Sequence, residues 1–342
     1  MLLPSPVTPA PSPLVSDPTA ESDSCRQAAE LRVLTYHRIG EEATTPELNP
    51  VTLSATAAGF ERQMERLARQ FHILEMSEVL ERLAAGVGLP RRSLLITFDD
   101  ASRCFLDSAW PVLQRLGIPV TMFVPTAFPD STREFWWDTV HRLARHAARE
   151  GSIFLPAGRL PAGEGKLDAR GLTRGISRWF AQTPFPEAQS WLDAECARRD
   201  LPRRVSPVCT WDELRRLARD GVELAPHTRT HPPLTTIAPE LLQDEIEGSL
   251  ADLQREIGLA TPVFAYPGGF YNEHVLHCLR QSPLQLAFTT SRGANLLQPA
   301  QGLDQANRLW LRRINVGRRS GWFRIWAQLK LPARLLNLLS RG

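Results

Sequence analysis

The stretch SLLITFDD, residues 93–100, runs a short apolar segment directly into two adjacent carboxylates. A segment of that length and composition reads as a strand buried on both faces, the pattern of a parallel sheet. LRVLTYH (31–37) upstream and VTMFVP (120–125) downstream read the same way. Residues 105–117 between them have helical spacing and stop at Gly117, a C-cap signal. Residues 57–70 form another helix, with Phe60, Met64 and Leu67 on one face. Further along, VELAPH (222–227), VFAYP (263–267), LQLAFTT (284–290) and LWLRRINV (309–316) are expected strands. Segments 134–149, 239–257 and 272–281 are expected helices, and Thr210 to Glu213 is a capping box opening a helix that ends at Gly221. This alternation predicts an α/β fold of parallel βα units around one sheet or barrel. Such folds carry their chemistry at the C-terminal ends of the strands.

The chain has 342 residues, enough for one large domain or two modest ones. Residues 1–29 are rich in Pro, Ser and Thr and are expected to be a disordered lead. The strand–helix rhythm is lost over about 150–206, which reads as an insertion rather than a second domain. The expected organisation is therefore lead, barrel over 30–318, and a basic amphipathic C-terminal helix over 319–342. Net charge is +3, but residues 311–342 hold eight basic and no acidic residues, which leaves −5 on the remainder. A mildly acidic body excludes a general nucleic-acid coat. Five widely spaced cysteines without a CxxC argue against a disulfide framework and for a reducing compartment. The first residues lack a basic n-region and an unbroken apolar run, so no secretory signal is expected, and no stretch is apolar enough for a transmembrane helix. A cytoplasmic location, peripheral at the inner face of the membrane, is the resulting expectation.

Three segments carry candidate chemistry. Asp99 and Asp100 end the strand at 93–99, and strand geometry points consecutive side chains to different sides. One carboxylate can then bind a metal while the other faces a nucleophile; a solvated turn or helix N-cap is the plain alternative. His227 and His231 form HTRTH after VELAP. Pro226, Pro232 and Pro233 exclude a long helix there, so a tight turn must bring the rings together. Two His and one Asp from different strand ends match the open three-ligand site of a catalytic metal. FAYPGG (264–269) ends a third strand, where Gly268 and Gly269 permit close backbone approach, in an oxyanion site or in an ordinary Pro-Gly turn. Phe135, Trp136 and Trp137 offer either a sugar-stacking surface or the packing of a helix onto the barrel.

With TFDD (97–100), HTRTH (227–231) and FAYPGG (264–269) in this order, the chain resembles the polysaccharide deacetylase family (NodB homology, carbohydrate esterase family 4) over about 31–317. LTYHRI (34–39) and FWWD (135–138) support the resemblance. It implies a distorted (β/α) barrel with a divalent metal at the strand ends, zinc first, with cobalt, nickel or manganese as alternatives. It implies Asp99 as general base, Asp100, His227 and His231 as metal ligands, and Gly268 as the backbone oxyanion donor. Tyr266, Pro267, Trp136 and Arg313 are expected at the substrate. Two departures stand out. Ala265 occupies the position where the family carries an arginine that steadies the base, and Arg312 or Arg313 can substitute from the last strand. No Leu-x-x-His stands near the end, which leaves His37 as the candidate acid, while His274 and His277 are read as structural.

The expected activity is metal-dependent removal of N-acetyl (or O-acetyl) groups from a carbohydrate or glycan precursor. Hydrolysis of other C–N bonds in small amides or imides, and non-catalytic glycan binding, are the alternatives. In the tail, Trp322, Ile325, Trp326 and Leu329 share a helical face that Leu335, Leu336 and Leu339 continue. That face suits either a membrane interface or docking on the barrel.

Overall fold

A computed structural model describes residues 29–156, 158–161, 168–297, 308–332 and 335. The expected lead up to position 28 lies outside the described residues, as do Leu336 and Leu339 of the tail. The chain opens with β1 (Ala29–Tyr36), then the short pair β2 (Arg38–Ile39) and β3 (Leu53–Ala55). Helix α1 (Ala57–Ala68) starts where the Thr56 hydroxyl accepts the Gly59 N–H. After it come β4 (His72–Ile73), α2 (Met76–Ala84) and β5 (Ser93–Phe98). A wider turn at Phe105–Ala109 leads into α3 (Trp110–Leu116), which Gly117 ends at φ +60°. Strand β6 (Thr121–Val124) precedes α4 (Trp136–Glu150).

The segment expected as an insertion holds the hairpin β7 (Ser152–Leu155) and β8 (Gly158–Pro161), then α5 (Ala169–Phe180) and α6 (Phe185–Arg198). These pack on α4 through Val140, Leu143, Leu172, Ile176 and Leu192, a cluster separate from that of the sheet. Next come α7 (Trp211–Arg219), whose capping box is formed as expected, and β9 (Glu223–Pro226). The remainder is α8 (Pro239–Ile257), β10 (Val263–Ala265), α9 (Glu273–Gln281), β11 (Leu286–Phe288), β12 (Asn295–Leu297), β13 (Ile314–Asn315) and α10 (Trp322–Lys330).

The central sheet runs β12-β1-β5-β6-β9, with β13 beside β1 and β4 beside β5. All its pairings are parallel except β12 on β1. β10 and β11 form a separate parallel pair. Isolated contacts carry the wall onward: Thr261 N–H donates to Leu224 O, and Phe288 forms a single bridge with Leu311, just before β13. The barrel is distorted because these joints are isolated bonds, not ladders.

Strand parity sorts the core. Val33, Leu95, Phe123, Ala225, Val263 and Phe288 fill the interior. Leu34, Ile96, Met122 and Leu224, one position away, pack under the helices. Continuing the inward row past Leu95 and Thr97 brings Asp99 over the top of the interior, and past Ala225 it brings His227.

Helix α10 takes the docking reading for most of its apolar face. Ile325 and Leu329 are buried in the core, Trp322 packs against it, and the buried Arg32 donates to the carbonyls of Gln328 and Leu331 at the helix end. The face expected for a membrane is largely spent on the body. Among the described residues, no helix is long and apolar enough to cross a membrane. Cys104, Cys196, Cys209 and Cys278 are free thiols, and Cys25 lies outside the described residues.

Candidate active site

Asp99 follows β5 and is held by its backbone N–H, which donates to Tyr36 O at 2.9 Å. Its carboxylate takes two parallel bonds from Arg313, Nη1 to Oδ1 and Nη2 to Oδ2, each 2.8 Å. Arg313 Nε donates to Thr289 O at 2.9 Å, and the guanidinium lies 5.6 Å from the Phe123 ring centroid. Arg313 is 0% exposed. Burial pushes the Asp99 carboxyl upward, but Arg313 first, then His227 and His37, outweigh it and hold it below the usual range.

This geometry corrects the place expected for Arg313. It is sealed beneath Asp99 and cannot reach a substrate, so it acts on the carboxylate. It supplies the arginine missing at Ala265, whose own side chain is in the core. Arg312 is turned away, with its backbone N–H donating to Asn295 Oδ1.

Asp100 departs from the strand at φ +71°, which turns its carboxylate off the inward row. Thr228 (φ +65°) and His231 (φ +57°) are likewise left-handed without being glycine. Such backbone is costly for these residues and concentrates at functional sites. It lets HTRTH double back, so that His227 Nε2 and His231 Nε2 come within 3.2 Å. Both face Asp100 Oδ1, at 3.6 Å and 3.3 Å.

Asp100, His227 and His231 form a buried group of three ligand-type side chains whose donor atoms lie within 4.8 Å of one another. Three observations fit a cation there. Asp100 Oδ1 is buried with no hydrogen-bond partner. His227 Nδ1 bonds Ala265 O at 2.7 Å, which fixes the tautomer and turns the bare Nε2 toward the cluster. Burial pushes His231 toward its neutral, ligating form. Burial also opposes the Asp100 charge, but His227 and His231 outweigh it and hold the carboxyl well below the usual range.

The cluster opens into a cavity of about 450 Å³. His37 lines it, with Nε2 3.9 Å from Asp99 Oδ2 and its backbone N–H on Ser54 Oγ. Pro267 and Gly268 line it as well; Gly268 has φ +62°, and a Cβ there would meet the Phe270 ring at 2.7 Å. Tyr266 does not line it. Its ring is buried against Phe264 and its hydroxyl donates to Leu309 O, which corrects the expectation that it binds substrate. It stands one position past the inward-facing Ala265, and so packs on the helix side of the wall.

The aromatic segment divides between its two readings. Phe135 is core, stacked between Phe128 and Trp137 at 4.1 Å and 4.2 Å. Trp137 meets the His231 ring edge-on at 4.6 Å, and Trp136 stacks on Phe180 of α5 at 4.4 Å, yet both also line the cavity. His274 and His277 lie on the exposed side of α9, away from this site.

Two features escaped sequence reasoning. Glu245 and Asp252 on α8 hold the histidine turn. Glu245 Oε2 accepts the backbone N–H groups of Arg229 and Thr230, each at 2.9 Å, and Asp252 pairs with the Arg229 side chain. Their seven-residue spacing on one helical face was the available signal. Ser177, Arg178 and Gln182, at the end of α5 and just beyond, wall the cavity, and nothing in their sequence marks them.

Residues 86–153 and 178–287, just over half of the chain, match the family model described as Polysaccharide deacetylase. The chain belongs to the polysaccharide deacetylase family. The break in the match falls within the segment read as an insertion. A curated relative, the putative polysaccharide deacetylase YxkH of Bacillus subtilis, is 28% identical over 85 residues, 25% of this chain and 30% of that protein. The match thus spans under a third of the relative's length. Among solved structures, the Streptococcus pyogenes deacetylase PplD in complex with acetate superposes with a TM-score of 0.57 at 18% identity, covering 89% of this chain and 100% of that one. IcaB from Ammonifex degensii gives 0.56 at 18% identity, with 89% and 99% covered. At these identities the superpositions speak for the fold.

Proposed function

We propose that this protein is a metal-dependent hydrolase that removes acetyl groups, N-linked first, from a carbohydrate. The observation that carries the reading is a carboxylate held ionised by a buried arginine, next to an Asp–His–His cluster, at the floor of an aromatic-walled cavity. Asp100, His227 and His231 would hold a divalent cation, with zinc, cobalt, nickel or manganese all compatible with two imidazoles and one carboxylate. When bound, such an ion polarises a carbonyl and lowers the pKa of water from ~16 towards ~7.

The protein's own groups do the rest. Asp99 accepts the proton of the attacking water; Arg313 occupies one direction on each oxygen and leaves the cavity-facing lone pairs free. Gly268 offers its backbone N–H to the developing oxyanion. His37, on the same side as Asp99 Oδ2, returns a proton to the leaving nitrogen. Trp136 and Trp137 present rings to the C–H faces of a sugar, and the apolar wall excludes water from the charge-bearing floor.

Asp99→Asn, with metal content unchanged, is expected to lower acetate release from acetylated oligosaccharides by about 10²–10⁴-fold. Near-normal turnover would overturn the assignment of the base. Release from small amides but from no acetylated glycan would overturn the substrate class.

A further inference from the structure

A second surface of the molecule is built for a different purpose. Helix α1 with its C-cap carries Arg62, Arg66 and Arg69 at i, i+4 and i+7, one stripe along the exposed side. Of its two acidic residues, Glu61 pairs with Arg115 of α3, and Glu65 lies beside the stripe. The basic stripe turns instead toward α10: the Arg66 guanidinium lies 5.2 Å from the Trp322 ring centroid. At the other end of α10, Lys330 lies 5.2 Å from the ring of Phe71, just past α1. The two helices therefore form one face.

Arg318 joins them at the cleft, and the exposed Arg319 and Arg324, just before and within α10, bring the cations of this region to seven. Arg318 pairs with Glu42, and Glu65 is half-buried on α1. Among the described residues, Arg62, Arg69, Arg319 and Arg324 have no acidic partner. A cleft between the helices is lined by Arg62, Arg66, Arg318 and Trp322. Beside it stand two aromatic rings that the core does not use. Phe323 is 77% exposed and Trp326 37% exposed, and they stack on each other at 6.0 Å.

We propose that the α1–α10 face is a docking surface for an anionic lipid bilayer. Seven cations disfavour a second copy of this face, because pairing would bring like charges together. Exposed Phe and Trp among unpaired arginines suit the headgroup boundary, where rings enter the interface and guanidinium groups meet lipid phosphates. The chain continues from the same helix as LPARLLNLLSRG (331–342), with five Leu, two Arg and no acid. The face that docks is thus not the one legible in the sequence, because Ile325 and Leu329 are committed to the core. The active-site cavity is close by. Val51 and Thr52, before β3, line the cavity, while Ser54 and Ala55, within β3, line the basic cleft.

The full chain is mixed with vesicles of phosphatidylcholine alone or with about 30% phosphatidylglycerol, and bound protein is measured by flotation. Binding is expected to the anionic vesicles only and to be released by high salt. Each basic residue near an anionic surface is worth about fivefold in partitioning, so R62Q/R69Q/R324Q should lose about a hundredfold. R62K/R69K/R324K should retain binding, since the interaction is with diffuse charge and not a shaped pocket. F323S/W326S should weaken binding while leaving the far-ultraviolet spectrum and hydrolysis of soluble substrate unchanged. Equal binding to both vesicle types, no binding to either, or unchanged binding by both charge and aromatic variants overturns the proposal. So does a dimer that F323S/W326S dissociates in the absence of vesicle binding.

Discussion

Arg313→Met tests the buried pair that holds Asp99 ionised. Arg313 is fully buried and spends Nη1, Nη2 and Nε on Asp99 and Thr289 O. The methionine side chain keeps much of the volume and removes the charge. Asp99 is then left buried without its main partner, and breaking a buried pair in this way costs about 3–5 kcal/mol. At about 2 °C per kcal/mol for a chain of this size, Tm should fall by about 6–10 °C. The sign with pH follows from the direction of the Asp99 shift. In the native protein its pKa is held below the unfolded value, so the stabilisation is complete above about pH 4 and is lost as pH falls through the folded pKa. Without Arg313, burial dominates and the carboxyl rises. The Tm gap between the two proteins should therefore narrow as the pH is lowered through the acid range. The acid limb of kcat/KM should move to higher pH, because the base protonates earlier. Thermal melts from pH 3 to 8 and a pH–rate profile read both effects. Arg313→Lys should fall between, since one ammonium cannot make the paired contact. A wild-type Tm and an unmoved acid limb in Arg313→Met would refute the coupling.

Two further outcomes follow. Glu245→Ala, removing the acceptor of the Arg229 and Thr230 N–H groups, should lower metal affinity by about 10–100-fold, measured by competition with a chelator, while Asp99 and its partner arginine remain intact. Unchanged affinity would show that the histidine turn holds itself. Asp138, buried on α4, is pushed up to about 7 by burial, although its Oδ1 accepts the Asn49 N–H at 2.6 Å. Its folded pKa lies above the unfolded value of about 3.9, so its contribution falls as pH rises from about 4 to 7. Asp138→Asn should accordingly gain Tm relative to wild type at pH 8 and not at pH 4; equal gaps at both would remove Asp138 as the cause.

Much of the site was legible because its residues end strands. TFDD, HTRTH and FAYPGG each follow a readable apolar run; strand parity carries Asp99 and His227 to one rim, and left-handed backbone at Asp100, Thr228 and His231 brings Asp100 and His231 to it. Asp99, Asp100, His227 and His231 were found from type and position, and the structure brings all four together. Tyr266 was misplaced for a local reason: its position beside the site in sequence hid that its ring turns under the helices. The short strands β2, β3 and β4 were missed because two- and three-residue pairings leave no periodicity to read, whereas helix α2 carried its signal in Met76, Val79, Leu80 and Leu83.

The amino-acid sequence by itself determined the alternation of strands and helices, the identity of the candidate site residues and the concentration of basic charge at the C-terminal end. These are local properties of residue type and spacing. Only the tertiary structure decided between Arg312 and Arg313, between docking and exposure for each residue of α10, and how Glu245 on a distant helix holds the histidine turn. Each of those depends on which surfaces meet across long separations in the chain, where one residue of register exchanges a buried side chain for an exposed one.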